Sequence, residues 1–150
     1  MLEKSKKEAK MFVVNAINFY RNSGKDIALA EFTNPKGPFV QDEMYIFVLD
    51  PKGNMIAHGV NEKYIDKNFI DLRDSDGKSF IREIVETAGE KGSGFVEYKW
   101  YNPVSKEMKP KRVYLEKVDD LTFCGGIYVE KWLDLISYNL QATSANLTCV

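Results

Sequence analysis

The middle of the chain reads Met44-Tyr45-Ile46-Phe47-Val48-Leu49, then Asp50-Pro51-Lys52-Gly53-Asn54, then Met55-Ile56-Ala57-His58-Gly59. The first run is apolar and rich in residues that favour β-structure, which predicts a buried central strand. The second run is typical of a turn, because proline fixes φ and glycine accepts a positive φ. The third run then predicts the returning strand of a hairpin. An antiparallel sheet is therefore expected at the centre of the fold.

Helical patterns stand on both sides of this hairpin. Residues 2–21 place apolar side chains three and four apart, which predicts a long N-terminal helix whose first half is dominated by charged residues. A shorter helix is expected over residues 26–31. Another is expected over residues 78–88, with Asp76 as its N-cap. Residues 60–78, named the connector below, are irregular and polar, with isolated apolar side chains.

Three more strands are expected after the connector and its helix, at residues 95–101, 111–118 and 121–129. Gly125 and Gly126 fall inside the last strand and indicate either a bulge or a close approach to the backbone. Strands that follow one another through short turns form an antiparallel meander. The order of elements predicts an α+β domain of PAS-like shape. It has a five-stranded antiparallel sheet, a long N-terminal helix and a second helix packed on the sheet.

The composition is that of an ordinary globular domain. The chain has 150 residues, of which 44% are hydrophobic and 29% charged. A formal net charge of -1 and scattered basic residues argue against a nucleic-acid partner. No segment approaches the roughly 20 apolar residues that span a bilayer, so no membrane segment is expected. We expect one domain over residues 1–150, with its core at about 10–130, a short helix at 131–140 and a polar tail at 141–150.

Several motifs, in order and spacing, resemble those of single Cache domains of the type-2 Cache family. They are the quoted hairpin, Asp71-Leu72-Arg73-Asp74-Ser75-Asp76-Gly77-Lys78 before the Phe80 helix, Gly94-Phe95-Val96-Glu97-Tyr98-Lys99-Trp100 with Asn102-Pro103, Pro110-Lys111 with Tyr114 and Lys117-Val118, and Gly126-Ile127-Tyr128. The resemblance covers about residues 10–130. It implies a periplasmic or otherwise extracytoplasmic sensor module for chemotaxis or two-component signalling. Such modules bind a small organic ligand, often a short carboxylate, and the resemblance also allows a homodimer through the N-terminal helix.

Aromatic side chains on the expected sheet are candidates for the wall of a ligand pocket. Tyr45 and Phe47 are two residues apart, and so are Tyr98 and Trp100, so each pair shares one face of its strand. Such faces form either plain core or the apolar wall of a small-ligand site. Both interpretations stay open from the sequence alone.

Three polar residues are candidates for contacts to the ligand. His58 offers a hydrogen bond, Lys111 offers a cation for a carboxylate, and Tyr114 offers a hydroxyl. The alternative for Lys111 is a solvated strand end. Lys111 and Tyr114 are three residues apart and face opposite sides of a regular strand. Both serve one pocket only if the strand is bent.

No enzymatic activity, metal or cofactor is expected. His58 is the only histidine, and no nucleophile with a matching base accompanies it. Asp71, Asp74 and Asp76 lack the remaining ligands of a calcium loop and are interpreted as turn and capping residues. The alternative function is a dimerising interaction module without a small-molecule ligand. The charged yet amphipathic first helix motivates that alternative.

Overall fold

A computed structural model describes residues 2–129 of the chain. The fold begins with helix α1 (Leu2–Ser23) and helix α2 (Lys25–Phe32). A short 3₁₀ helix (Glu62–Tyr64) lies in the connector, and helix α3 (Phe80–Lys91) follows it. The expected helix at 131–140 and the expected tail at 141–150 lie outside the described residues.

In the described part of the chain, six strands form one antiparallel sheet. Within it the order is β1-β2-β6-β5-β4, and β3 also pairs with β2. The α+β class and the antiparallel sheet are therefore confirmed. The additional strand, β1, has only two residues, which is too short to show a periodic pattern in the sequence. The strands are β1 (Val40–Gln41), β2 (Met44–Leu49), β3 (Met55–His58), β4 (Ser93–Tyr101), β5 (Met108–Val118) and β6 (Leu121–Tyr128).

The two faces of the sheet are covered by different helices. Side chains alternate along a strand, so β2 directs Ile46 and Val48 to one face and Tyr45 and Phe47 to the other. The first pair packs with α1 and α2, and this side is named the α1 face. The second pair packs with α3 and the connector, and this side is named the α3 face.

The loop before α3 is held by Asp74 rather than by the predicted cap. The carboxylate of Asp74 accepts hydrogen bonds from the backbone N–H groups of Asp76 at 3.0 Å and Lys78 at 2.9 Å. It also accepts one from Lys99 of β4 at 3.0 Å, so the loop is tied to the sheet. The N-cap of α3 is Ser79, and the prediction of Asp76 was wrong. The turn interpretation of this acidic segment is confirmed.

The paired glycines of β6 mark a close approach of backbones, not a bulge. Gly125 pairs regularly with Ile46 of β2 and Tyr114 of β5, and Gly126 pairs regularly with Val113 of β5. A Cβ atom added to Gly126 would lie 2.5 Å from the carbonyl oxygen of Arg112. The irregular register falls instead between Val48 and Leu49.

Replacing Gly126 with alanine should destabilise the domain. The added methyl group has no room beside β5, and overpacking of this kind typically costs about 1–3 kcal/mol. Gly89→Ala is the matched control, because an added Cβ there meets no atom within 4 Å. In α3 that change should raise the free energy of unfolding by about 0.5–1 kcal/mol. Urea unfolding measures both, and a Gly126→Ala variant as stable as the wild type would contradict the close approach.

Candidate ligand-binding site

An apolar cavity lies on the α3 face of the sheet. Its empty volume, which includes space open to solvent, is about 290 Å³, and the enclosed part is small. Five of the seven residues predicted from the sequence line it together. They are Tyr45, Phe47, His58, Tyr98 and Trp100.

The other side of the cavity is built by residues that sequence reasoning did not assign to the site. Tyr64, Phe69 and Leu72 come from the connector, and Phe80 comes from α3. The ring centroids of Tyr64 and Phe69 are 5.3 Å apart, and Phe80 stacks on Tyr98 at 4.1 Å. The connector has neither a strand nor a helix periodicity. Isolated apolar residues within this polar segment were the only indication in the sequence that it contributes to the site.

Strand pairing sets three side chains next to one another at the edge of the cavity. Tyr98 of β4 is directly opposite Lys111 of β5, which is opposite Tyr128 of β6. Residues that face each other across antiparallel strands share one face of the sheet. All three therefore belong to the α3 face, together with Tyr45 and Phe47.

Lys111 is completely buried, with 0% of its surface exposed. Its Nζ atom has no hydrogen-bond partner within residues 2–129. Aromatic rings surround the atom instead: the centroids of Tyr45, Phe47 and Tyr128 lie 4.0, 5.3 and 5.2 Å away. Lys111 is thus not a solvated strand end. It does not line the cavity itself, but two of its three aromatic neighbours do.

Tyr114 does not share the cavity, which corrects the expectation that it contacts a ligand there. Strand β5 pairs regularly on both sides at this point, so Tyr114 faces opposite to Lys111. Its ring belongs to the core of the α1 face and lies 5.2 Å from that of Phe95. Its hydroxyl donates a hydrogen bond to the Glu116 carboxylate at 2.6 Å. The strand bend that the prediction required is absent from β5.

His58 connects the cavity to the start of the connector. Its Nδ1 atom accepts hydrogen bonds from the backbone N–H groups of Val60 at 3.2 Å and Asn61 at 2.9 Å. These bonds assign the proton of the neutral ring to Nε2. Burial, and then the positive charge of Lys111, lower the pKa of His58 to about 3. The imidazole is therefore neutral at pH 7 and offers an N–H donor beside the cavity.

Within residues 2–129, no group of three or more histidine, cysteine or acidic side chains is arranged to hold a metal ion. None of the helices in the same part of the chain is long and apolar enough to cross a bilayer. The cavity is thus characterised by rings, neutral polar groups and the neighbouring buried cation.

Titration of His58 should make the domain less stable as the pH falls from 7 to 5. The folded-state pKa lies below the value of 6.5 for a free histidine, so the unfolded chain binds more protons in this window. The stabilisation is present above pH 6.5 and is lost progressively towards pH 3. Between pH 7 and 5 we expect a loss of about 2 kcal/mol, measured by urea unfolding at each pH.

His58→Asn is the control variant for this titration. The amide oxygen can accept the same backbone hydrogen bonds as Nδ1, but it does not titrate. Its free energy of unfolding should change much less between pH 7 and 5 than that of the wild type. Parallel pH profiles for the two proteins would show that His58 is not the titrating group.

Comparison with known proteins is consistent with this geometry. Residues 2–130 match the family model described as Single Cache domain 2. The chain is 35% identical over 103 residues to the sensor histidine kinase MctS of Rhizobium johnstonii, an alignment that covers 69% of this chain and 22% of the kinase. The chain therefore spans about a fifth of the length of that relative.

Two solved structures share the fold. A methyl-accepting chemotaxis protein from Vibrio parahaemolyticus superposes with a TM-score of 0.74 at 25% identity, covering 85% of this chain and 90% of that one. A Cache chemosensory domain described for its carboxylic acid recognition superposes with a TM-score of 0.67 at 24% identity, covering 85% and 92%. The chain belongs to the single Cache domain 2 family, which supplies the sensory domains of chemoreceptors and sensor kinases.

Proposed function

We propose that this domain binds a short monocarboxylate on the α3 face. The carboxylate pairs with the Lys111 ammonium, and the apolar tail lies against the rings of the cavity. The observation that carries the proposal is the buried Nζ atom without a hydrogen-bond partner in residues 2–129, directly beside an apolar cavity.

A buried cation is unfavourable unless something replaces the water that it has lost. Three ring contacts compensate in part, since a cation–π contact contributes about 0.5–2 kcal/mol. They leave the hydrogen-bonding capacity of the three ammonium N–H groups unused. A carboxylate supplies both the missing acceptors and the opposite charge. An anionic ligand is therefore the chemistry that completes the site.

The walls of the cavity favour one negative charge and a short apolar tail. The other polar groups at the wall are neutral, because His58 is uncharged at neutral pH and the tyrosines carry hydroxyls. A second carboxylate would be desolvated there without a cation to pair with. The enclosed part of the cavity is small, so it favours an acid of only a few carbon atoms. Dicarboxylates and amino acids should accordingly bind less well.

In this proposal the domain works as a sensor and carries out no chemistry on its ligand. A Cache chemosensory domain of the same fold is described as recognising carboxylic acids, and a relative is a sensor histidine kinase. We place the domain on the extracytoplasmic side, as the sensory part of a chemoreceptor or a kinase. Homodimerisation through α1 stays a prediction.

Propionate should bind the wild-type protein, and Lys111→Met should weaken binding about ten- to a hundredfold. A hydrogen bond to a charged group contributes about 1.5–3 kcal/mol, which gives that range. Methionine is apolar and of similar length, so the variant should fold. Lys117→Met is the matched control, because Lys117 is exposed on the same strand. Isothermal titration calorimetry measures the affinities.

Propionamide tests the role of charge, because it keeps the shape of propionate and lacks the negative charge. It should bind much more weakly than propionate. Equal affinity for the two compounds would contradict the proposal, and so would propionate binding that survives in Lys111→Met.

A further inference from the structure

We infer that the Tyr45 ring is a gate between the cavity and Lys111, and that Tyr128 is a positioning residue that holds this gate closed. The inference rests on the proposed function for its binding readout and deepens it. It explains how a cation that does not line the cavity is reached by a ligand inside it.

The gate follows from the positions of the ring and the ammonium group. Tyr45 and Phe47 line the cavity, whereas Lys111 does not. The Nζ atom of Lys111 lies 4.0 Å from the centroid of the Tyr45 ring, the shortest of its ring contacts. That ring has the cation on one side and forms cavity wall elsewhere. A carboxylate oxygen must come within about 2.7–2.9 Å of the nitrogen, and the buried atom leaves no approach until a ring moves.

Tyr128 is anchored in a way that fixes the closed position. Its hydroxyl donates a hydrogen bond to the backbone carbonyl of Tyr101 at 2.7 Å. The Tyr45 side chain lies nearby: burial, and then Tyr45, raise the pKa of the Tyr128 hydroxyl. The Tyr128 ring covers Lys111 Nζ at 5.2 Å and does not line the cavity. The hydrogen bond to Tyr101 thus holds the ring of Tyr128 over the ammonium group, beside the ring of Tyr45.

A ligand binds only to molecules in which the gate is open. The apparent affinity is therefore the intrinsic affinity multiplied by the fraction of open molecules. Removing the Tyr128 hydroxyl weakens the closed state while leaving both rings in place. The loss of one neutral hydrogen bond shifts such an equilibrium about fivefold. Tyr128→Phe should therefore tighten propionate binding about fivefold, whereas a tyrosine whose hydroxyl contacted the ligand would weaken it on replacement.

Acetylation of the ligand-free protein measures the opening of the gate directly. Lys111 should react slowly with acetic anhydride in the wild type because its Nζ is buried. The exposed Lys52 serves as the internal reference. Mass spectrometry of peptides should show Lys111 modified about fivefold faster relative to Lys52 in Tyr128→Phe. Tyr101→Phe is the matched control, because it removes a hydroxyl and leaves the acceptor carbonyl of Tyr101 unchanged.

Each outcome decides one of the two proposals. Unchanged acetylation of Lys111 in Tyr128→Phe overturns the gate, and so does acetylation that rises only in proportion to a loss of global stability in urea. Weaker propionate binding by Tyr128→Phe also overturns it. If the wild type binds no propionate, the proposed function fails, while the acetylation experiment still decides whether the gate exists.

Discussion

The burial of the Lys111 ammonium among aromatic rings is the constraint around which the α3 face is organised. The neighbouring residue, Arg112, is a buried cation with a different kind of partner. Arg112 is equally buried, on the α1 face, and the Glu97 carboxylate of the neighbouring strand accepts its Nε–H at 2.9 Å. Aromatic rings surround the Lys111 ammonium, whereas a carboxylate pairs with the Arg112 guanidinium. Two adjacent buried cations in one strand thus have different surroundings.

The contrast extends to the coverings of the two faces. The α1 face is sealed by regular helices that pack Phe12, Val13 and Phe32 against the sheet. The α3 face is closed in part by the connector, whose backbone exchanges hydrogen bonds with Met55 of β3: Met55 N–H to the Lys67 carbonyl at 2.9 Å and Asp66 N–H to the Met55 carbonyl at 2.8 Å. The cavity thus lies beneath an irregular covering, to which His58 is joined through Nδ1.

The fold was predictable from the sequence where the chemistry is local. The run Met44–Leu49 is apolar and rich in residues that favour β-structure, and typical turn residues follow it, so the sequence predicts the hairpin. The site was predictable only where residues share a strand. Tyr64 and Phe69 reach the cavity through the path of the connector, which no period encodes. Tyr114 faces away because β5 stays straight, a fact that depends on its neighbours. The burial of Lys111 could not be predicted from the sequence either, because a lysine near a strand end is usually solvated.

A ring cage also explains how a site can be both stable when empty and ready for an anion. Without ligand, the rings of Tyr45, Phe47 and Tyr128 stabilise the cation without consuming its hydrogen bonds. An acidic residue in the same place would satisfy the charge permanently and compete with every anionic ligand. A carboxylate gains more from the ammonium than a ring does, because it brings a full opposite charge into a region of low dielectric constant. In the proposed site, the exchange of a ring for an anion would therefore have a favourable direction and would displace an aromatic side chain.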